Sequence, residues 1–184
     1  MRCYHSHASR IILKDRYYFE SSGDTEVVLK SFIHWGPDCL SKFNGMFSLA
    51  ILDLTSETIF LARDRLGIKP MFYHLTDESF YFASEPKSIL QLTKNSVELN
   101  IDSVISYFYF RYPISGASFF SGIDSLKPGT WMTISKDLEI TRGRFWSLND
   151  HLKNESIVDE NTAISNVRKG LIDAVESRMV SDVP

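Results

Sequence analysis

Cysteine, histidine and aspartate are the residue types in this sequence whose position alone suggests chemistry. Cys3, His5 and His7 alternate, so on an extended strand their side chains would share one face and could bind a metal ion. No further ligand follows nearby, and an irregular start without a metal is therefore expected. Cys39 has neither a histidine nor a cation beside it in the sequence, which predicts a buried structural cysteine rather than a nucleophile.

Asp24 stands where a short β-prone run, residues 17–21, meets a helical pattern of apolar residues. That pattern ends at Gly36-Pro37, a pair that is typical of a helix C-terminus. Taken alone, Asp24 is expected to cap the helix by accepting hydrogen bonds from its first free N–H groups. A ligand contact is the second interpretation of this carboxylate.

Three apolar segments near the middle of the sequence organise the rest of the chain. Large and small side chains alternate along residues 47–51, which places Phe47, Leu49 and Ile51 on one face of a strand. Residues 58–62 and 80–83 are rich in β-branched and aromatic side chains and predict buried strands of the same sheet. Between the second and third segments lies the charged loop 63–70, with the sequence Arg-Asp-Arg-Leu-Gly-Ile-Lys-Pro. Gly67 in this loop permits a positive φ angle, so the loop is expected to be an ordered turn.

The second half of the sequence predicts helices, a hairpin and an aromatic cluster. A short helix follows residue 84, another begins at Asn100 or Asp102, and residues 131–134 and 138–140 form a hairpin. The cluster 107–112 has five aromatic residues and one arginine, so it is expected to pack in the core rather than to stack on nucleic-acid bases. The last helix carries an apolar stripe that needs a partner surface, made of Ile164, Val167, Leu171, Ala174, Val175 and Met179.

Bulk composition limits the class of protein. A length of 184 residues with 43% hydrophobic content suits a soluble globular domain with a core of its own. The formal net charge of -3 argues against nucleic acids and anionic membranes as partners. The start contains no long apolar run that would predict a signal or a membrane span. Two cysteines are too few for a disulfide framework, so a cytoplasmic location is expected.

Several short strings stand in one order and at close spacing in this sequence: Asn44-Gly45-Met46-Phe47, Ala62-Arg63-Asp64-Arg65, Gly67-Ile68-Lys69-Pro70, Phe82-Ala83-Ser84-Glu85, Leu126-Lys127-Pro128-Gly129 and Phe145-Trp146. Together they resemble the glutamine amidotransferase domain of the glutamine-hydrolysing asparagine synthase family. The resemblance covers residues 16–184 and implies a type-2 amidotransferase with an α+β fold. That fold is the N-terminal-nucleophile hydrolase αββα sandwich of antiparallel sheets, here expected to be incomplete at its N-terminus.

The resemblance also assigns site residues. Asp24, in Ser-Gly-Asp-Thr-Glu-Val at 22–27, would receive the α-ammonium of bound glutamine, and the loop at the domain junction would be shaped by Arg63, Asp64, Gly67 and Lys69. Glutamine hydrolysis in this family uses the thiolate and the free α-amino group of an N-terminal cysteine. The sequence begins with Met1-Arg2-Cys3, so no catalytic residue and no metal ligand is assigned, and the isolated chain is expected to lack glutaminase activity.

The function implied by this resemblance is that of a fragment of an asparagine synthase-like enzyme. Residues 1–148 would be the amidotransferase domain, and residues 149–184 would be a linker and the first helix of the chain's own synthetase domain. The remainder of that synthetase domain is expected to be missing, and ATP and magnesium would bind there. Glutamine and that domain are the expected partners, no cofactor is expected within this chain, and a homodimer is left open. Two alternatives remain: a non-catalytic amidotransferase-like binding or assembly module, and an amidotransferase that acts on a sugar or peptide acceptor.

Overall fold

The structure, a computed structural model, describes residues 2–3, 6–93, 98–114, 116–152, 159–176 and 179, with the backbone alone for residues 2–3 and 6–8. Its helices are Ser6–Leu13 (α1), Asp24–Trp35 (α2), Cys39–Lys42 (α3), Pro86–Thr93 (α4), Ile101–Phe110 (α5) and Glu160–Glu176 (α6). Its strands are Arg2–Cys3 (β1), Gly45–Met46 (β2), Ser48–Asp53 (β3), Thr58–Arg63 (β4), Phe72–Leu75 (β5), Phe80–Ala83 (β6), Asp124–Ser125 (β7), Thr130–Ser135 (β8) and Ile140–Arg144 (β9).

The strands form three antiparallel sheets in the described part of the chain. The largest has the order β3-β4-β8-β9, the second has the order β6-β5-β7, and β1 pairs with β2. Leu49 lies opposite Ala62, and Leu61 opposite Met132, so the apolar residues of neighbouring strands meet on common faces. The four-stranded sheet therefore has two apolar faces, and each needs a cover.

One face of the four-stranded sheet packs against α2 and α3. The sheet contributes Leu49 and Phe60 to this interface, together with Phe47 just before β3. They form one buried cluster with apolar residues of the two helices, including Val28 and Leu40. Phe43 and Phe47 meet edge to edge, with ring centroids 5.9 Å apart. Alternation along β3, predicted from the sequence, is thereby confirmed.

The other face of the four-stranded sheet packs against the second sheet. Leu61, Met132 and Ile134 form a buried cluster with Met71 and Leu126, which flank β5 and β7. On the far side of the second sheet, α4 contacts β5 and β6. The layers are thus helix, sheet, sheet and helix, and they confirm the predicted α+β fold with an αββα sandwich of antiparallel sheets.

Several local predictions are confirmed. Helix α2 ends before Gly36, which has a φ angle of 56°. Asn100, one of the two expected caps of α5, accepts a hydrogen bond from the Ser103 N–H at 3.0 Å. Cys39 is buried, as expected of a structural cysteine. The predicted hairpin is present as β8 and β9, although its second strand begins at Ile140, two residues later than expected.

Other local predictions are wrong. Residues 80–83 form a strand, but it belongs to the second sheet and not to the sheet of the other two segments. The start is not irregular, because α1 runs through Ser6–Leu13, and residues 17–21 form no strand. The aromatic cluster does not pack in the core: Phe108 is 78% exposed and Tyr109 is 79% exposed.

Candidate functional site

Asp24 is the first residue of α2 and is half-buried. The residue before it, Gly23, has an extended backbone and occupies the cap position, and no side chain forms a capping hydrogen bond there. The expected N-cap at Asp24 is therefore off by one residue. In the first turn its carboxylate still lies near the positive end of the helix dipole.

Glu26, two residues further on, holds the segment that leads into the helix. One carboxylate oxygen accepts a hydrogen bond from the Glu20 N–H at 3.0 Å, and the other accepts from the Ser21 N–H at 2.7 Å and the Ser21 hydroxyl at 2.8 Å. The Lys30 ammonium, one helical turn later, pairs with the same carboxylate. The approach to Asp24 is thus fixed by a side chain of the helix that Asp24 begins.

Glu26 also makes the stability of this junction depend on pH. The Lys30 ammonium and, after it, the N–H groups of Glu20 and Ser21 lower the pKa of the Glu26 carboxyl from 4.5 to about 2. Because the folded pKa lies below the unfolded one, the carboxylate stabilises the fold above pH 4.5 and this contribution is lost as the pH falls towards 2. We expect Glu26→Gln to lose less stability than the wild type between about pH 6 and about pH 3.

Urea unfolding at both pH values measures this difference. Glu139→Gln removes an exposed carboxylate from the β8–β9 turn and serves as the matched control, which is expected to keep the wild-type pH dependence. An equal loss of stability on acidification in the wild type and in Glu26→Gln would show that the Glu26 contacts do not stabilise the folded chain.

Asp64 organises the charged loop 63–70 from inside. Its side chain is 1% exposed, and one carboxylate oxygen accepts hydrogen bonds from the N–H groups of Leu66 at 3.1 Å and Ile68 at 3.0 Å. The other oxygen accepts from the Lys69 N–H at 3.0 Å. A buried carboxylate is tolerated here because three backbone donors satisfy it.

Arg63 fixes the same loop from the other side. Its guanidinium donates to the carbonyl oxygens of Gly67 at 2.7 Å, Lys69 at 2.8 Å and Leu126 at 2.8 Å, and to the Ser125 hydroxyl at 2.7 Å. Burial lowers the pKa of the guanidinium from its ordinary value, and the charge of Asp64 opposes that shift. The guanidinium thus links the loop to β7, sixty-two positions later in the sequence.

Gly129 joins this loop to the segment that follows β9. Its N–H donates to the Asp64 carbonyl at 2.9 Å, and its own carbonyl accepts from the N–H groups of Phe145 at 3.0 Å and Trp146 at 3.2 Å. Its φ angle is 68°, and a Cβ atom there would lie 2.5 Å from the Trp146 carbonyl oxygen. We call Arg63, Asp64, Gly67 and Gly129 the junction network.

The predicted loop residues therefore meet in one network, with a division of roles that the sequence did not indicate. Gly67 has the expected positive φ angle, 66°. A Cβ atom added at this position would lie 2.8 Å from the Pro128 side chain. Lys69 contributes its backbone N–H and carbonyl, while its side chain is exposed. Glu26 and Gly129 were not predicted as site residues, although both stand in strings that the resemblance used.

Two further sequence predictions bear on the site. The proposed metal face of Cys3, His5 and His7 involves residues whose side chains lie outside the described part of the chain. Among the described residues, no group of three or more histidine, cysteine, aspartate or glutamate side chains could hold a metal ion. In that same part of the chain, no helix combines the length and the apolar character that crossing a membrane requires.

Comparison with known proteins gives one family. A model of the glutamine amidotransferase domain matches residues 3–146. Asparagine synthetase [glutamine-hydrolyzing] 3 of Bacillus subtilis is 37% identical over 171 residues, which cover 91% of this chain and 27% of that protein. Putative asparagine synthetase [glutamine-hydrolyzing] 2 of Methanocaldococcus jannaschii is 36% identical over 177 residues, or 94% of this chain and 34% of that protein.

The solved structure of glutamine phosphoribosylpyrophosphate amidotransferase from B. subtilis has a TM-score of 0.54 at 16% identity, and covers 78% of this chain and 27% of that one. That likeness shows a shared fold. The chain spans 27% and 34% of the length of the two curated relatives described above. The family match begins at residue 3, so the expected start of the resemblance at residue 16 was too late. The chain belongs to the glutamine amidotransferase domain family, and resembles that part of glutamine-hydrolysing asparagine synthetases.

Proposed function

We propose that this chain is the glutamine-binding part of an asparagine synthetase-like enzyme, and that Asp24 receives the α-ammonium of glutamine. The observation that carries the proposal is a half-buried carboxylate in the first turn of α2, approached by a segment that Glu26 fixes. A carboxylate oriented in this way can form charge-assisted hydrogen bonds to an ammonium ion. The family match over residues 3–146 supports glutamine as the ligand.

The proposal separates binding from hydrolysis. Cleavage of the glutamine amide needs an accessible nucleophile and an oxyanion hole. Cys39 is 1% exposed and belongs to the core beneath α2, so it cannot reach a substrate. In a polypeptide made of these 184 residues, the nitrogen of Cys3 is in a peptide bond with Arg2 and is not a free amine that could serve as base. We therefore expect the 184-residue chain to bind glutamine without releasing ammonia.

The same proposal assigns residues 1–148 to the amidotransferase domain and 149–184 to a linker and the first helix of a synthetase domain. The end of the family match at residue 146 supports that boundary, and so does the exposed apolar stripe of α6, which suits a following domain. ATP and magnesium would act in that domain, so no residue here is assigned to them. A cytoplasmic location is supported by the low cysteine content.

The test is a calorimetric titration of L-glutamine into the chain and into Asp24→Asn, with ammonia release followed in parallel. Asp24→Asn keeps the shape of the side chain and removes its charge, so it is expected to weaken glutamine binding by about tenfold or more. Asp15→Asn removes an exposed carboxylate from the turn after α1 and is expected to leave binding unchanged. N-acetyl-glutamine lacks the ammonium ion and is expected to bind weakly, with the same affinity for the wild type and for Asp24→Asn.

Three results would contradict the proposal. Equal glutamine affinity for the wild type and Asp24→Asn would exclude the ammonium contact. Ammonia release above the buffer blank would exclude the separation of binding from hydrolysis. Absence of glutamine binding to the wild type would favour the second candidate, a non-catalytic assembly module, for which the buried position of Cys39 is the supporting observation.

A further inference from the structure

A cavity of about 540 Å³ lies at the edge of the sandwich where β9 ends the four-stranded sheet. It is lined from the four-stranded sheet by β8 and β9, and from the second sheet by Tyr73 of β5 and by β7 with the turn that follows it. Its size falls in the range of small-molecule sites in proteins. Its charged lining residues are Asp124, Lys127, Arg142 and Arg144.

The arginines face the cavity because of the register of the sheet. Arg142 and Arg144 are two residues apart on β9, so their side chains leave the strand on the same side. Arg142 lies opposite Met132, and Met132 is buried between the two sheets. The side of β9 that carries both arginines is therefore the side that is turned towards the second sheet.

Tyr73 forms an aromatic wall next to Arg142. The Arg142 guanidinium donates to the Tyr73 hydroxyl at 3.4 Å, and its central carbon lies 5.8 Å from the centre of the ring. Burial raises the pKa of the Tyr73 phenol, so the hydroxyl stays neutral and adds no negative charge beside the guanidinium. In the described part of the chain Arg142 forms no ion pair, although a guanidinium has five donors in a planar fork.

The other lining groups leave the cavity positive. Arg144 pairs with Asp150 at 3.3 Å, but both side chains are more than half exposed, so this pair is weak and can be displaced. The Ser125 hydroxyl already accepts from Arg63, and the Thr130 hydroxyl donates to the Lys127 carbonyl at 2.6 Å. The charged groups of the lining are thus three cations, Lys127, Arg142 and Arg144, against one acid among the described lining residues, Asp124.

We propose that this cavity binds a small organic acid, with its phosphate or carboxylate group on Arg142 and its apolar body against Tyr73. The guanidinium fork matches the two oxygens of either group, and Lys127 and Arg144 add long-range attraction. The formal net charge of the chain is -3, so an anion gains nothing from the mean field and its binding must come from this local arrangement.

The test is a calorimetric titration of the 184-residue chain with phenyl phosphate, benzoate and phenol. The three probes share a phenyl ring and differ in the group attached to it: a phosphate, a carboxylate or a neutral hydroxyl. We expect saturable binding of at least one anion and none of phenol, and an affinity that falls as salt is added. Arg142→Gln should weaken the anion by about tenfold or more, and Arg142→Lys should recover part of the loss. Arg16→Gln removes the same charge from an exposed turn and should keep the wild-type affinity.

Amide NMR shifts locate the site independently of the variants. Saturation should move the N–H signals of Gly116 and Gly143, which line the cavity, and leave that of Gly36 at the end of α2 unchanged. If phenyl phosphate binds and benzoate does not, the ligand is a phosphate ester, and the reverse result identifies a carboxylate. The proposal is overturned if neither anion saturates, if Arg16→Gln weakens binding as much as Arg142→Gln, or if phenol binds as well as the anions.

Discussion

Asp64→Asn is expected to lower the free energy of unfolding by about 3 kcal/mol, because it replaces a buried acceptor that satisfies several donors. The carboxylate accepts hydrogen bonds from Leu66, Ile68 and Lys69, and its side chain is 1% exposed. An amide has one oxygen in place of two, and its NH2 group would face a backbone N–H. At least one of the three backbone donors would then lose its partner on the buried side chain.

Chemical denaturation of the wild type and of Asp64→Asn measures this loss. Asp53→Asn is the matched control, because the Asp53 carboxylate also accepts from backbone N–H groups, Thr55 at 2.8 Å and Ser56 at 3.3 Å, but in the exposed β3–β4 turn. Water can replace those contacts, so the control is expected to lose far less stability. Equal losses in the two variants would show that burial of Asp64 adds nothing to the stability of the loop.

The strands were predictable from the sequence because their signal is local. Alternating and β-branched runs at 47–51, 58–62 and 80–83 all proved to be extended segments. Which sheet a strand joins depends on pairing with residues far along the chain, since 80–83 pairs with β5 and not with β4. A short apolar run carries no information on that choice.

The wrong predictions near the start have a related cause. Residues 17–21 have the composition of a strand but find no partner strand, and the Ser21 N–H instead donates to Glu26. Helix α1 was missed because, among its residues whose side chains are described (9–13), Leu13 is the one that belongs to the buried hydrophobic core. An eight-residue helix has only about two turns, and over so short a stretch a helical period cannot be recognised in the sequence.

The aromatic cluster shows the limit of composition as a guide to burial. Five aromatic residues in six positions predicted packing, but α5 cannot turn consecutive residues to one side, and Phe108, Tyr109 and Phe110 are all exposed. The junction network shows the same limit for the site. Its loop was predicted from Gly67 and the neighbouring charges, but its contacts with Ser125 and Gly129 are fixed by the tertiary structure.

Gly129→Ala is expected to lower the free energy of unfolding by about 3 kcal/mol, and for a reason that differs from the loss of a hydrogen bond. The φ angle of 68° disfavours any residue with a Cβ atom, and the added atom would lie 2.5 Å from the Trp146 carbonyl oxygen. That oxygen belongs to backbone, which the hydrogen bonds from Phe145 and Trp146 to Gly129 hold in place. Relief of the clash therefore requires these contacts to open.

Gly116→Ala separates the two parts of this cost. Gly116 has a similar φ angle, 75°, but an added Cβ atom meets no atom within 4 Å, so the variant is expected to lose only about 1 kcal/mol from backbone strain. Chemical denaturation of both variants gives the steric part as the difference. If Gly129→Ala and Gly116→Ala lose the same free energy of unfolding, the close approach of Trp146 to Gly129 does not constrain the fold. The backbone at Trp146 would then be able to shift while its hydrogen bond to Gly129 is kept.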